Sequence, residues 1–131
     1  MVHMELSRIV IAETSEEQVI VLKEMEGPRS FPIVIGIFEA AAIDRKVKNI
    51  RTPRPLTHDL LESVIRGMGA ELKRIVVTHL KQGTFYAKLI LARDGNQVEV
   101  DSRPSDAVAL ATQMNAPIFV EEEVLKDVAA S

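Results

Sequence analysis

Residues 71–102 read ELKRIVVTHLKQGTFYAKLILARDGNQVEVDS, and this stretch decides the fold. Leu72 to Leu80 carries the β-branched Ile75, Val76, Val77 and Thr78, which suit a pleated, half-buried surface. Lys81-Gln82-Gly83 reads as a turn. Phe85, Ala87, Leu89 and Leu91 then alternate with Tyr86, Lys88 and Ile90, the period of a strand. Asp94-Gly95 is a strong hairpin signal, because both residues tolerate the positive φ that the tight turn demands. Val98 and Val100 alternate with Glu99 and Asp101 in a third strand, so the stretch predicts an antiparallel meander.

Upstream, Glu5 to Glu13 and Val19 to Leu22 read as two strands joined by a polar turn at Thr14 to Glu17. Gly27-Pro28 breaks the chain, and Phe31 to Ile35 is a further strand whose Pro32 suits an edge. Met1 to His3 reads as a tail. Glu39 to Val47 is Ala-rich and predicts a helix lying close against a sheet. Arg51 to Pro55 is an extended loop, and Thr57 reads as the N-cap of a second helix. Leu60, Leu61, Val64, Ile65 and Met68 form its apolar stripe, with Gly67 and Gly69 at its end. Pro104 opens a third helix with Asp106 in its first turn and Ala107, Val108, Leu110, Ala111 and Met114 on its apolar face. Ile118 to Val120 is a short strand after Pro117, and Glu121 to Val128 adds a helical turn or two. The predicted fold class is α+β: one domain over residues 1–131, with a mainly antiparallel sheet of about six to seven strands and three helices packed on it.

Composition narrows the function. Hydrophobic residues make up 47% and charged residues 27%, which excludes a wholly disordered chain. No apolar run approaches the roughly 18 residues of a membrane span. With no Cys and no signal-peptide pattern, the chain is expected in the cytoplasm, without disulfides, Cys–zinc sites or thiol catalysis. The net charge of −3 hides an asymmetry. Arg45 to Arg93 holds eleven Lys/Arg against three acids, whereas the rest of the chain is strongly acidic. Such a block suits a polyanion if it folds into one surface, and is only a solvated stretch if it does not.

Two segments concentrate groups capable of chemistry. In Arg54-Pro55-Leu56-Thr57-His58-Asp59-Leu60, a His and an Asp occupy the first turn of a helix beside a basic loop. His58 can move protons near neutral pH, and Asp59 can orient a base. Glu62 lies four residues past His58, on the same helix face. In Asp101-Ser102-Arg103-Pro104-Ser105-Asp106, a strand passes into a helix with two carboxylates, two hydroxyls and a guanidinium. That helix start suits phosphate, and Asp101 with Asp106 could hold a divalent cation such as Mg2+. Glu39, at the start of the Ala-rich helix, could join the acids. Each segment equally reads as a self-satisfied helix cap, with Arg103 paired to an aspartate. No P-loop, GxGxxG, HExxH, GxSxG or EF-hand pattern occurs.

These segments, with Phe31-Pro32-Ile33-Val34-Ile35-Gly36, Glu39-Ala40-Ala41-Ala42-Ile43 and Ala116-Pro117-Ile118-Phe119-Val120, resemble the bifunctional nuclease family, from about Glu5 to Val128. The resemblance implies an α+β domain that forms a homo-oligomer and degrades both DNA and RNA, an activity ascribed chiefly to plant members. Carried over by position, its polar motif residues fall on Glu39, Arg54, Thr57, His58, Asp59, Asp101, Arg103, Ser105 and Asp106. Gln113 stands where the family more often has a basic residue. The candidate catalytic set is therefore Glu39, His58, Asp59, Asp101 and Asp106. The candidate nucleic-acid-binding set is Lys46, Lys48, Arg51, Arg54 and Arg103. The expected reaction is sequence-tolerant hydrolysis of phosphodiester bonds. The competing expectation is a non-catalytic, homo-oligomeric binding or regulatory module.

Overall fold

The computed structural model describes residues 1–12 and 17–130. Its elements run β1 (Val2–Val10), β2 (Gln18–Glu24), β3 (Ser30–Ile35), α1 (Ile37–Val47), α2 (Thr57–Gly67), β4 (Glu71–Lys81), β5 (Thr84–Arg93), β6 (Asn96–Ser102), α3 (Pro104–Met114), β7 (Ile118–Val120) and α4 (Glu122–Ala130). The turn expected at Thr14 to Glu17 falls largely outside the described residues.

The strands form one sheet in the order β3-β2-β1-β7-β4-β5-β6. It consists of two antiparallel meanders, β1-β2-β3 and β4-β5-β6, joined by the three-residue β7. Asp94 and Gly95 adopt φ of 51° and 80°, the left-handed pair that closes the β5–β6 hairpin. Strand β7 runs antiparallel to β1 and parallel to β4, so the sheet is mixed where an antiparallel one was expected. The parallel pair follows from the intervening helix, because α3 carries the chain across the sheet before β7 enters. Pro32 lies on the edge strand β3, where its missing N–H breaks no ladder.

Two other expectations change. Val2 and His3 are not a tail: they pair with Val120 and Phe119, and the His3 ring stacks on Phe119. The segment after β7 is a full helix, α4, with Val124 and Leu125 buried, which makes four helices among the described residues rather than three.

The core joins one face of the sheet to the helices, with Ile20, Leu22, Ile43, Ile75, Val77, Val108, Leu110 and Val120 fully enclosed. Helix α3 is the central one, with Ala107 through Ala111 all buried. Its small side chains let it pass closely between α1 and strands β4 and β5. The Ala-rich α1 packs chiefly on α3 rather than on the sheet. Helix α2 buries only Ile65 and leaves Leu60, Leu61, Val64 and Met68 exposed. Its stripe was expected in the core, but α2 sits at the margin, touching α3 and β4 with one edge.

Candidate functional site

Helix α2 begins at Thr57 with Leu56 as its extended N-cap, so Thr57 is not the cap. The capping group is the Asp59 carboxylate, which reaches back to accept the Leu56 N–H at 2.9 Å. That bond fixes the Arg51–Pro55 loop against the helix. His58, one residue into the helix, turns inward, and its side chain is only 14% exposed.

Helix α3 brings its own first turn to the same place. Asp106 Oδ1 lies 3.0 Å from His58 Nε2, and its Oδ2 accepts from Arg103 Nη2 at 2.9 Å and Nε at 3.1 Å. An ionised carboxylate only accepts, so His58 Nε2 carries the hydrogen, and in the neutral form of the ring Nδ1 presents a lone pair. Arg103 Nη2 also meets Glu39 Oε1 at 2.7 Å. Glu39 comes from the first turn of α1 and its side chain is 9% exposed, whereas that of Arg103 is 70% exposed. The carboxylates of Asp106 and Glu39 push the Arg103 guanidinium further up, keeping it charged. Gly36, at the N-cap of α1, makes room for this arrangement: a Cβ there would stand 2.6 Å from Glu39 Oε2. Four residues at the starts of three helices, up to 67 positions apart in the chain, thus form one chain of contacts, Glu39–Arg103–Asp106–His58.

A second chain braces the first. Gln113 Nε2 donates to Glu62 Oε1 at 2.7 Å and to the His58 carbonyl at 3.3 Å, and Arg66 Nε holds Glu62 Oε2 at 2.7 Å. Sequence reasoning placed Glu62 on the His58 face and noted Gln113 only as a departure from the family, without a contact to either residue. The available signal was that Gln113 lies seven residues past Asp106, on the same side of α3. Burial pushes the Glu62 carboxyl up, but the bonds from Gln113 and Arg66, with the charges of Arg66 and Lys46, outweigh it and hold the group below its ordinary 4.5. A depressed folded-state carboxyl stabilises the fold above that ordinary value, and the contribution is lost as pH falls through the lower folded one. Stability should therefore decline below about pH 4.5, and less steeply in Glu62→Gln; urea midpoints across that range measure both slopes.

Beside His58 opens a cleft of about 450 Å³ between α1, the following loop and α2. Arg45, Lys46, Arg51, Arg54, His58 and Asp59 line it. The basic block therefore divides. Its densest part gathers at this cleft, while Lys73, Arg74, Lys81, Lys88 and Arg93 lie on β4 and β5. Lys48 is not in the cleft wall and pairs with Asp44 at 3.1 Å.

Asp101 does not join the cluster. It is exposed on β6, opposite Lys88. Both oxygens of Asp106 are already engaged, by His58 and Arg103. Among the described residues no three His, Asp or Glu side chains come together as a metal site. The donor set therefore does not fit the divalent cation expected of Asp101 and Asp106. Among the same residues, no helix is long and apolar enough to cross a membrane.

The chain is similar in sequence to known proteins. An uncharacterized protein of Mycobacterium tuberculosis is 44% identical over 117 residues, covering 89% of this chain and 70% of that protein. Bifunctional nuclease 1 of Oryza sativa subsp. japonica is 27% identical over 118 residues, 87% of this chain and 36% of that protein. Bifunctional nuclease 1 of Arabidopsis thaliana is 29% identical over 107 residues, 79% of this chain and 33% of that protein. The model of the bifunctional nuclease domain matches residues 20–131, from the second strand through the last helix, and the chain belongs to that family.

Proposed function

We propose that this chain is a nuclease that hydrolyses phosphodiester bonds of DNA and RNA with little sequence preference. The observation that carries the reading is the His58–Asp106 pair standing at a cleft walled by Arg45, Lys46, Arg51 and Arg54. In this mechanism the four cations hold backbone phosphates, which fix position without reading bases. Asp106 orients His58, and Nδ1 takes a proton from the attacking water. As the new P–O bond forms, the bond to the leaving sugar oxygen breaks, and that oxygen takes a proton from solvent. Arg103 supplies positive charge to the developing oxyanion, and Glu39 fixes Arg103. Water as nucleophile makes no use of the ribose 2′-hydroxyl, so both sugars serve.

The test is cleavage of DNA and RNA by the purified chain, with and without chelator, beside Asp106→Asn. Loss of cleavage in the variant supports the reading, and equal cleavage sinks it. Salt provides a second measurement. Four phosphates neutralised give a log–log slope of about −3 to −3.6, or about 100-fold weaker binding between 50 and 200 mM salt. Arg51→Ala with Arg54→Ala should reduce that slope by about 1.4–1.8 in binding titrations. The competing reading, a non-catalytic homo-oligomeric module, draws on the solvent-facing Leu60, Leu61, Val64 and Met68, a face that a second subunit would cover. It predicts self-association with no cleavage at all.

A further inference from the structure

We infer that Phe38 is a base-stacking residue, which receives an unpaired nucleobase at the end of the cationic cleft. The inference rests on the nucleic-acid reading above and adds a contact to it. Phe38 is 85% exposed, more than any other large hydrophobic side chain among the described residues. An aromatic ring held in water at that level contributes nothing to the core, so folding does not account for it.

Its position does. Phe38, Ala42 and Arg45 follow at i, i+4 and i+7, one face of α1. Ala42 and Arg45 already line the cleft, together with Lys46 and Asn49. Phe38 therefore extends the same wall by one turn. It also directly precedes Glu39, the residue that anchors Arg103, so the ring stands at the Arg103 end of the wall. Arg45 lies seven positions past Phe38 on the helix, about 10 Å along the axis. That span is about three steps of a stacked strand, at about 3.4 Å each, and fewer of an extended one. A strand with its phosphates at Arg45 and Lys46 can thus lay a base on Phe38. Every base has a π-face, so this contact adds affinity without sequence preference.

The experiment uses His58→Ala as the background, so that binding is read without cleavage. Fluorescein-labelled oligo-dT, the same length of abasic strand and a duplex are titrated against this protein and its Phe38→Ala and Phe38→Leu forms. Stacking predicts that both substitutions weaken oligo-dT binding by about 5-fold to 150-fold, while abasic and duplex affinities stay within about twofold. A Leu form that binds oligo-dT as well as Phe38 overturns the inference, because apolar bulk would then suffice. So does equal weakening on all three probes. A change of solution mass by light scattering in Phe38→Ala also overturns it, assigning the ring to a subunit contact instead.

The chain has no Trp, so Phe38→Trp in the otherwise unaltered protein introduces a single reporter that does not depend on the His58 background. Its fluorescence should be quenched by oligo-dT and unaffected by the abasic strand; quenching by neither, or by both, refutes stacking. Cleavage without any Phe38 effect removes this inference and leaves the nuclease. Base-dependent binding without cleavage removes the nuclease and leaves this inference.

Discussion

His58→Ala should lower the rate of phosphodiester cleavage by roughly 10²- to 10⁴-fold, the usual contribution of a positioned acid–base group. Affinity for an oligonucleotide should change little, because the cleft's cations and not the imidazole hold the phosphates. Asp106→Asn should cost a comparable factor by another route. The carboxylate accepts from Nε2 and so selects the tautomer of the neutral ring in which Nδ1 can accept a proton. An amide in its place can donate to Nε2, which would shift the hydrogen to Nδ1 and remove the base. It would also weaken the hold on Arg103, which loses a charged acceptor. Single-turnover cleavage, with binding titrated in parallel, separates the two quantities. Both variants should remain folded, since His58 and Asp106 are each only partly buried. Parent-like rates in both variants, purified free of other nucleases, would remove His58 from the reaction.

Leu110→Ala should destabilise the fold by about 2–5 kcal/mol, because deletion of a buried isobutyl group leaves a cavity that close-packed surroundings fill only in part. Leu110 is fully buried in α3, the helix that packs on α1 and on strands β4 and β5. Typical domains have a net stability of only about 5–15 kcal/mol, so this single change would consume a large share of it. For a chain of this length the melting temperature should fall by roughly 6–20 °C. Urea unfolding at one fixed protein concentration, with an unchanged slope, measures the difference. Leu60→Ala on the exposed side of α2 is the control, and should stay within about 0.5 kcal/mol if that face is solvated. A control cost as large as that of Leu110 would mean the face is covered in solution. The two leucines have the same chemistry and sit on apolar helix stripes of similar appearance; the depth of the helix separates them.

That contrast marks how far the chain could be read. The meander over 71–102 was legible because alternation and turn chemistry act between near neighbours, and Asp94-Gly95 adopts the left-handed pair its side chains permit. The short β7 carries too few residues for any period, so its place between β1 and β4, and its parallel run, could not be read. The stripe on α2 was visible as a stripe, but periodicity reports amphipathicity without saying what covers it. His58, Asp106, Arg103 and Glu39 were each recognised as chemically capable, and their meeting was not derivable from spacing. Asp101 and Asp106 looked like a pair at five residues apart, yet a strand-to-helix corner lies between them and only Asp106 turns toward His58.

The amino-acid order alone determined where the backbone bends, pairs or coils, since those preferences depend on φ, ψ and on residues within a turn or two. Tertiary structure alone decided which carboxylate meets the histidine, which part of the basic block faces the cleft and which leucines leave water. The histidine meets its carboxylate across 48 residues, and the other outcomes follow from the sheet order and from the passage of α3 beneath α1; no local preference carries that information.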